Sequence, residues 1–210
     1  MNHCVIDHIT ITAPTLALGE ALVKSALGVT PQRGGEHPRM GTHNLLLRLG
    51  ESEFLEVIAT NPKAEALDRP RWFALDTLND NSPAALKTWV VRTENIQSTL
   101  DACAEPVGRI EPMSRGDVEW LITIPEDGSL PVNKAAPALI QWKTKVHPAA
   151  MLIDYGLSLL ELQIYNPEAE RIERLLDSIH FEGKVKVIQS KASKLIAKIK
   201  TTDGVRELSA

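Results

Sequence analysis

The sequence predicts an α+β fold made of tandem β-α-β-β-β modules. Three observations predict it. Strand-like alternation and helix-like periodicity follow one another in the same order three times. The first and third helical stretches are bounded by a recognisable start or stop. Finally, Asp7-His8-Ile9-Thr10-Ile11-Thr12-Ala13-Pro14 and Leu160-Glu161-Leu162-Gln163-Ile164-Tyr165-Asn166-Pro167 share alternation, strand end and proline.

The first module spans about 4–60. Its opening strand, Cys4 to Thr12, sets Ile9 and Ile11 on one face and His8, Thr10 and Thr12 on the other. A helix follows from about Thr15, a suitable N-cap, to Leu27, and Gly28 stops it. Leu16, Glu20, Val23 and Leu27 share one face of it. The glycine-rich stretch Gly34 to Gly41 reads as a flexible connection. It lacks phosphate-loop spacing and follows a helix. Strands over Thr42–Leu49 and Glu53–Ala59 flank the turn Gly50-Glu51-Ser52.

Residues 61–85 form a linker containing Arg69-Pro70-Arg71-Trp72-Phe73. The second module spans about 86–146. It has a short strand at Trp89–Arg92, a helix over Thr93–Ala104, and strands at Val107–Glu111, Val118–Ile124 and Ala138–Lys143. The segment Pro125 to Pro137 reads as a loop. A third, degenerate C-terminal module occupies 151–210. Its strand ends at Tyr165, and its helix starts at Asn166 or Pro167 with the apolar stripe Ile172, Leu175, Leu176 and Ile179. Three short strands follow: Lys184–Gln189, Lys194–Lys200 and Val205–Leu208.

A chain of 210 residues with 43% hydrophobic and 24% charged residues buries a core without staples. The net charge of -4 argues against a duplex-DNA partner. Six lysines from Lys184 to Lys200 are interleaved with apolar residues and read as solvated strand faces. Two cysteines, Cys4 and Cys103, form no zinc motif, so a reduced cytoplasmic protein is expected. No secretory leader pattern and no membrane-length apolar run is read. No Gly-x-Ser-x-Gly elbow is present.

Several short motifs then fall in order: Asp7-His8-Ile9, Gly41-Thr42-His43-Asn44 before Leu45–Gly50, and Phe54-Leu55-Glu56-Val57-Ile58. Arg69–Phe73, Trp89–Thr93, Ser114-Arg115, Gln141-Trp142 and His147-Pro148 follow. Together they resemble the glyoxalase-like domains of the vicinal oxygen chelate superfamily, over roughly residues 5 to 165. The resemblance implies paired modules (residues 1–150) whose curved sheets enclose a ligand-holding cup. In metal-using members the first module gives a His from its first strand and a Glu from its last. His8 and Glu56 match those positions. The second module normally gives another pair, yet Trp89–Thr93 has no His, and the last strand offers Gln141 instead.

His8 and Glu56 are therefore candidate ligands for one divalent metal (Zn, Ni, Mn or Fe), or else a hydrogen-bonded pair with no ion. Gln141, His147 or His43 is read as able to complete such a site. Glu56 and Arg115 are the candidate catalytic residues, Glu56 as ligand or base and Arg115 as the anchor for an anion. His37, Asn44, Arg92, Trp120, Gln141, Trp142 and His147 are candidate substrate contacts, with Trp72 as a further wall of an apolar pocket. The implied function is metal-assisted isomerase or lyase chemistry on a small oxygenated molecule. The alternative is non-catalytic small-molecule binding. Module exchange in related folds implies a homodimer.

Overall fold

The computed structural model describes residues 3–209. Its elements run β1 (Val5–Thr12), α1 (Leu16–Leu27), β2 (Gln32–His37), β3 (Thr42–Arg48), β4 (Phe54–Thr60), β5 (Ala85–Arg92), α2 (Ile96–Ala102), β6 (Arg109–Arg115), β7 (Val118–Ile124), β8 (Ala138–Trp142), β9 (Ser158–Asn166), α3 (Ala169–Ser178), β10 (Val185–Gln189), β11 (Lys194–Thr201) and β12 (Gly204–Ser209). Among the described residues, no helix is long and apolar enough to cross a membrane.

Eight strands form one sheet in the order β2-β3-β4-β1-β5-β8-β7-β6. This order is two copies of one pattern placed back to back. In each copy the first strand lies parallel to the last, β1 to β4 and β5 to β8, with the second and third strands outside. The copies join through the antiparallel pair β1–β5. Alternation within β1 then sorts the chemistry. Ile9 and Ile11 enter the core beneath α1, while His8 and Glu56 enter the opposite, concave face.

The termini of α1 follow from local chemistry. Thr15 Oγ1 accepts from the Leu18 amide, and Gly28 closes the helix at φ 75°, a conformation that costs glycine little. Gly19 serves packing instead. A Cβ there would sit 2.2 Å from Val57 Cγ1 on β4.

The glycine-rich stretch is a strand. Gln32 to His37 is β2, paired antiparallel with β3 at the edge of the sheet, and Pro38–Met40 is a 3-10 turn rather than a loose connection. The two glycines of this strand make room for other side chains. A Cβ on Gly34 would meet Asn44 Oδ1 at 2.1 Å, and one on Gly35 would meet Arg115 Cδ at 2.5 Å.

The C-terminal unit keeps the element order but not the strand order of the first two. Its sheet runs β10-β9-β11-β12, with the first strand inside between β10 and β11. This sheet and α3 add Leu162, Ile164, Ile172, Leu175 and Ile199 to the core that also holds Ile9, Val57 and Trp89. Trp89 meets Phe181 edge-on and donates from Nε1 to the Ala135 carbonyl. A smaller core on the concave face contains Met40, Trp72, Phe73, Trp120, Ile122 and Ile140.

Gly19→Ala sets two effects against each other. Helix propensity favours alanine by about 1 kcal/mol. Overpacking against the β-branched Val57 costs about 1–3 kcal/mol. A net loss of stability in urea unfolding is expected, recovered in Gly19→Ala/Val57→Ala.

Candidate functional site

The concave face holds a narrow cage. His8, Phe54 and Glu56 come from the first module's inner strands, and His37 and Asn44 from its outer ones. Arg115, Trp120, Ile122, Ile140 and Trp142 come from the second module. Trp72 and Phe73 of the linker close it. The space inside open to a water molecule is about 20 Å³, room for about one water. Phe73 and Ala74 take left-handed backbone at φ 56° and 54°, where a bulky residue is strained. Ala74 N donates to the Gly128 carbonyl at 2.7 Å, which pins this turn. Arg69 binds Glu111 through both of its terminal nitrogens and holds the linker to β6.

Two lining residues, His8 and Trp142, are held from behind by a residue that sequence reading passed over. Asp7 is fully buried, and it receives His8 Nδ1 at 2.6 Å, Trp142 Nε1 at 2.7 Å and His147 Nε2 at 2.9 Å. Arg92 Nη1 stands 3.5 Å away. Adjacent strand residues normally point to opposite faces. Here the β1–β5 ladder slips between Ile6 and His8, so Asp7 is the extra residue of a β-bulge, which re-aims its side chain. Burial alone would raise its carboxyl value. The hydrogen bonds and charge of His147 and His8 outweigh that and hold it well below the usual carboxylate range. The available signal was an aspartate inside a strand, where that residue is depleted.

Asp7 sets the state of His8. A carboxylate only accepts, so Nδ1 of His8 carries the proton and Nε2 turns to Glu56 Oε2, 3.6 Å away. Phe54 stacks on the imidazole with centroids 4.5 Å apart. Glu56 is oriented in turn: Asn44 Nδ2 donates to Oε1 at 2.7 Å and Thr10 Oγ1 to Oε2 at 3.4 Å. Asn44 Oδ1 accepts from the Gly35 amide and from Arg115 Nη1. This is why Gly34 and Gly35 cannot carry side chains.

Arg115 lies between two spaces. It lines the cage and also an open groove of about 650 Å³ formed by Gln32–Glu36, Ser114–Val118 and Pro148–Leu152. Burial lowers its guanidinium value and Glu56 opposes that; an arginine remains charged regardless. His37 is the opposite case. Burial first, then the charges of Arg115, His43 and His8, push its value down to about 3, so it is a neutral wall residue. It meets Trp72 and Trp120 edge-on, and its Nδ1 is 3.1 Å from Thr42 Oγ1.

His8, Glu56, His37, Asn44, Arg115, Trp120 and Trp142 thus converge. Three candidates do not. Gln141 falls on the other face by strand alternation, where its Oε1 receives the Ile96 amide at the start of α2. Arg92 sits beyond the cage, bound to Ser52 in the β3–β4 turn. His147 is held outside by Asp7, with its Nδ1 accepting from the Ala149 amide. The donor set does not fit a tightly held divalent ion. His8 and Glu56 are two ligands, and the second module presents Val90, Ile140 and Trp142 to the cup instead. Among the described residues no group of three or more His, Cys, Asp or Glu is arranged to hold a metal ion.

Two predictions follow from these environments. Asp7→Asn removes the charge that His8 and His147 hold, and loss of a buried pair costs about 3–5 kcal/mol; urea unfolding should show a loss of this order. For His37, the folded value near 3 lies below the free-imidazole value of about 6.5. Between those values the unfolded chain binds a proton that the folded chain refuses, so stability falls as pH falls through that window. His37→Gln should flatten the slope of unfolding free energy against pH there by up to about 1.4 kcal/mol per pH unit.

The chain is similar to several solved structures. A hypothetical protein from Staphylococcus aureus superposes with a TM-score of 0.66 at 13% identity, covering 90% of this chain and 87% of that one. A Streptomyces coelicolor methylmalonyl-CoA epimerase complex reaches 0.44 at 15% identity, covering 68% and 97%. An extradiol ring-cleaving dioxygenase from B. fuscum reaches 0.46 at 12%, covering 98% and 71%. No curated protein matches. The family model described as "Glyoxalase-like domain" matches residues 6–180. With its paired-module sheet and the cup that sheet encloses, the chain belongs to the glyoxalase-like domain family.

Proposed function

We propose that the chain is a proton-transfer enzyme, of isomerase or lyase type, acting on a small oxygenated anion. The observation that carries this reading is the buried acid–base pair, His8 and Glu56, with one arginine between it and an open groove. Arg115 would anchor a carboxylate or developing oxyanion, since its planar fork matches both. Glu56, oriented by Asn44 and Thr10, would take a proton from carbon next to a carbonyl. His8, its Nδ1 fixed by Asp7, would hold or return a proton at Nε2.

One feature supports ligand entry and another sets its requirement. Trp72 Nε1 is buried in the cage wall without a hydrogen-bond partner, a state costing about 1–3 kcal/mol until a water or ligand accepts from it. The cage is also too small for a substrate head as it stands. Entry therefore requires Arg115 to swing toward the groove or the strained Phe73–Ala74 turn to lift. The two-ligand donor set gives a metal no step in this scheme. It also favours one rival reading, a cup that binds a small molecule without transforming it.

The test is deuterium exchange. Methylglyoxal–glutathione hemithioacetal and a panel of small 2-oxo acids are incubated with the protein in D2O and followed by proton NMR. Exchange at the carbon beside the carbonyl is expected for at least one compound. Glu56→Gln should slow it by about 10²-fold or more, the usual contribution of a positioned base. Exchange at the wild-type rate in Glu56→Gln would remove that residue from the mechanism. No exchange, with saturable binding retained, would establish the binding reading instead.

A further inference from the structure

A second cleft lies at the seam between the eight-stranded sheet and the C-terminal sheet, away from the cage. Its volume is about 290 Å³. Three segments far apart in sequence each bring a lysine to it: Lys87 on β5, Lys134 in the turn before β8, and Lys194 at the start of β11. Tyr165, Ser193 and Leu195 are also part of its wall.

The backbone is bent to place two of these lysines. Thr10 pairs with Thr88 and Ile11 with Leu86, so Lys87 is the extra residue of a β-bulge. Val132, Asn133 and Lys134 form a left-handed run at φ 48°, 51° and 70°, a conformation that non-glycine residues avoid. Strain of this kind collects at ligand sites.

The charges are uncompensated. Elsewhere in the C-terminal unit, Lys184 pairs with Glu53 and Lys198 with Glu161. Among the described residues, no carboxylate lies at ion-pair distance from Lys87, Lys134 or Lys194. The acid at the rim, Glu168, is engaged by Asn133 and Arg171. Burial, and then the charge of Lys134, push the Lys87 ammonium value down. Lys87 is partly buried beside the exposed Lys134, and Lys194 is exposed at the opposite edge of the cleft; an anion there would offset the cost of holding the Lys87 charge.

We propose that this cleft binds a small phosphorylated molecule. Its phosphate would lie among Lys87, Lys134 and Lys194, and its organic part against Tyr165 and Leu195. Lysine is a compact point charge with three donors and suits phosphate, whereas a planar carboxylate is matched by the arginine fork, and no arginine lines the cleft. Ser193 Oγ accepts from Asn166, which leaves its own hydroxyl hydrogen free to donate.

The test is isothermal titration of the full chain with inorganic pyrophosphate at constant low ionic strength. Tricarballylate serves as the carboxylate comparator. Saturable binding at one site is expected for pyrophosphate, weakening as salt rises. Lys87→Gln/Lys134→Gln should raise the dissociation constant by at least about tenfold. The exposed pair Lys186→Gln/Lys200→Gln should leave it unchanged. Lys194→Gln, an exposed substitution, gives the same reading if the double variant does not fold. No saturable binding of pyrophosphate, or equal weakening in the exposed pair, would overturn the site. Tighter binding of tricarballylate would overturn the phosphate assignment.

Discussion

The candidate site depends on one buried carboxylate. Asp7 lies inside the sheet with no exposed surface, and an unpaired charge there would cost several kcal/mol. Donors from three parts of the chain offset that cost: His8 beside it, Trp142 on the last strand of the second module, and His147 beyond that strand. Each bond has a second result. The one to His8 selects its tautomer. The one to Trp142 fixes a wall of the cage. The one to His147 draws the segment after β8 back over the first module, where Ala149 and Leu152 pack with Leu46 and Phe54. Stability and site geometry therefore rest on the same carboxylate.

The two modules share a topology but divide the labour unequally. The first supplies the polar groups His8, Glu56, Asn44 and His37. The second supplies aromatic and aliphatic walls and a single charge, Arg115. The division makes the site strongly electrostatic at one end and apolar at the other, as small-molecule pockets commonly are. It also explains a sequence feature that looked like mere flexibility. The paired glycines at 34 and 35 leave a gap through which Asn44 and Arg115 meet from opposite modules.

Much of the cup was legible because strand alternation is a strict rule. The phase of Ile9 and Ile11 placed His8 on the concave face, and the motif around Glu56 placed its partner. The same rule explains the failure at Gln141, which lies one position from the inward-facing Trp142. Asp7 was hard to read because a bulge suspends alternation, and an aspartate inside a strand is a weak local mark of the slip. Arg92 and His147 were misplaced for a related reason: both turn toward Asp7, whose position was not foreseen. In β2 the glycines hid a strand, because propensity penalises them while the register shift at Gly34-Gly35 and the close approach of Asn44 and Arg115 accommodate them. The order of the C-terminal strands depends on which edges meet in space, and periodicity within a strand carries no record of that.

The β1–β5 seam carries two bulges, and their arrangement bears on how the chain can vary. Asp7 is the surplus residue on β1 and Lys87 the surplus residue on β5. Because they lie on opposite strands, the offset introduced by the first is removed by the second. Only the pairs between them, His8 with Val90 through Thr10 with Thr88, run out of step with the rest. The outer ends of both strands thus keep the register that the two modules require. An insertion in one strand of the joint between modules is tolerated when a matching one appears across from it. Such paired length changes let a sheet gain irregular, chemically useful positions on either face while its overall pairing stays the same.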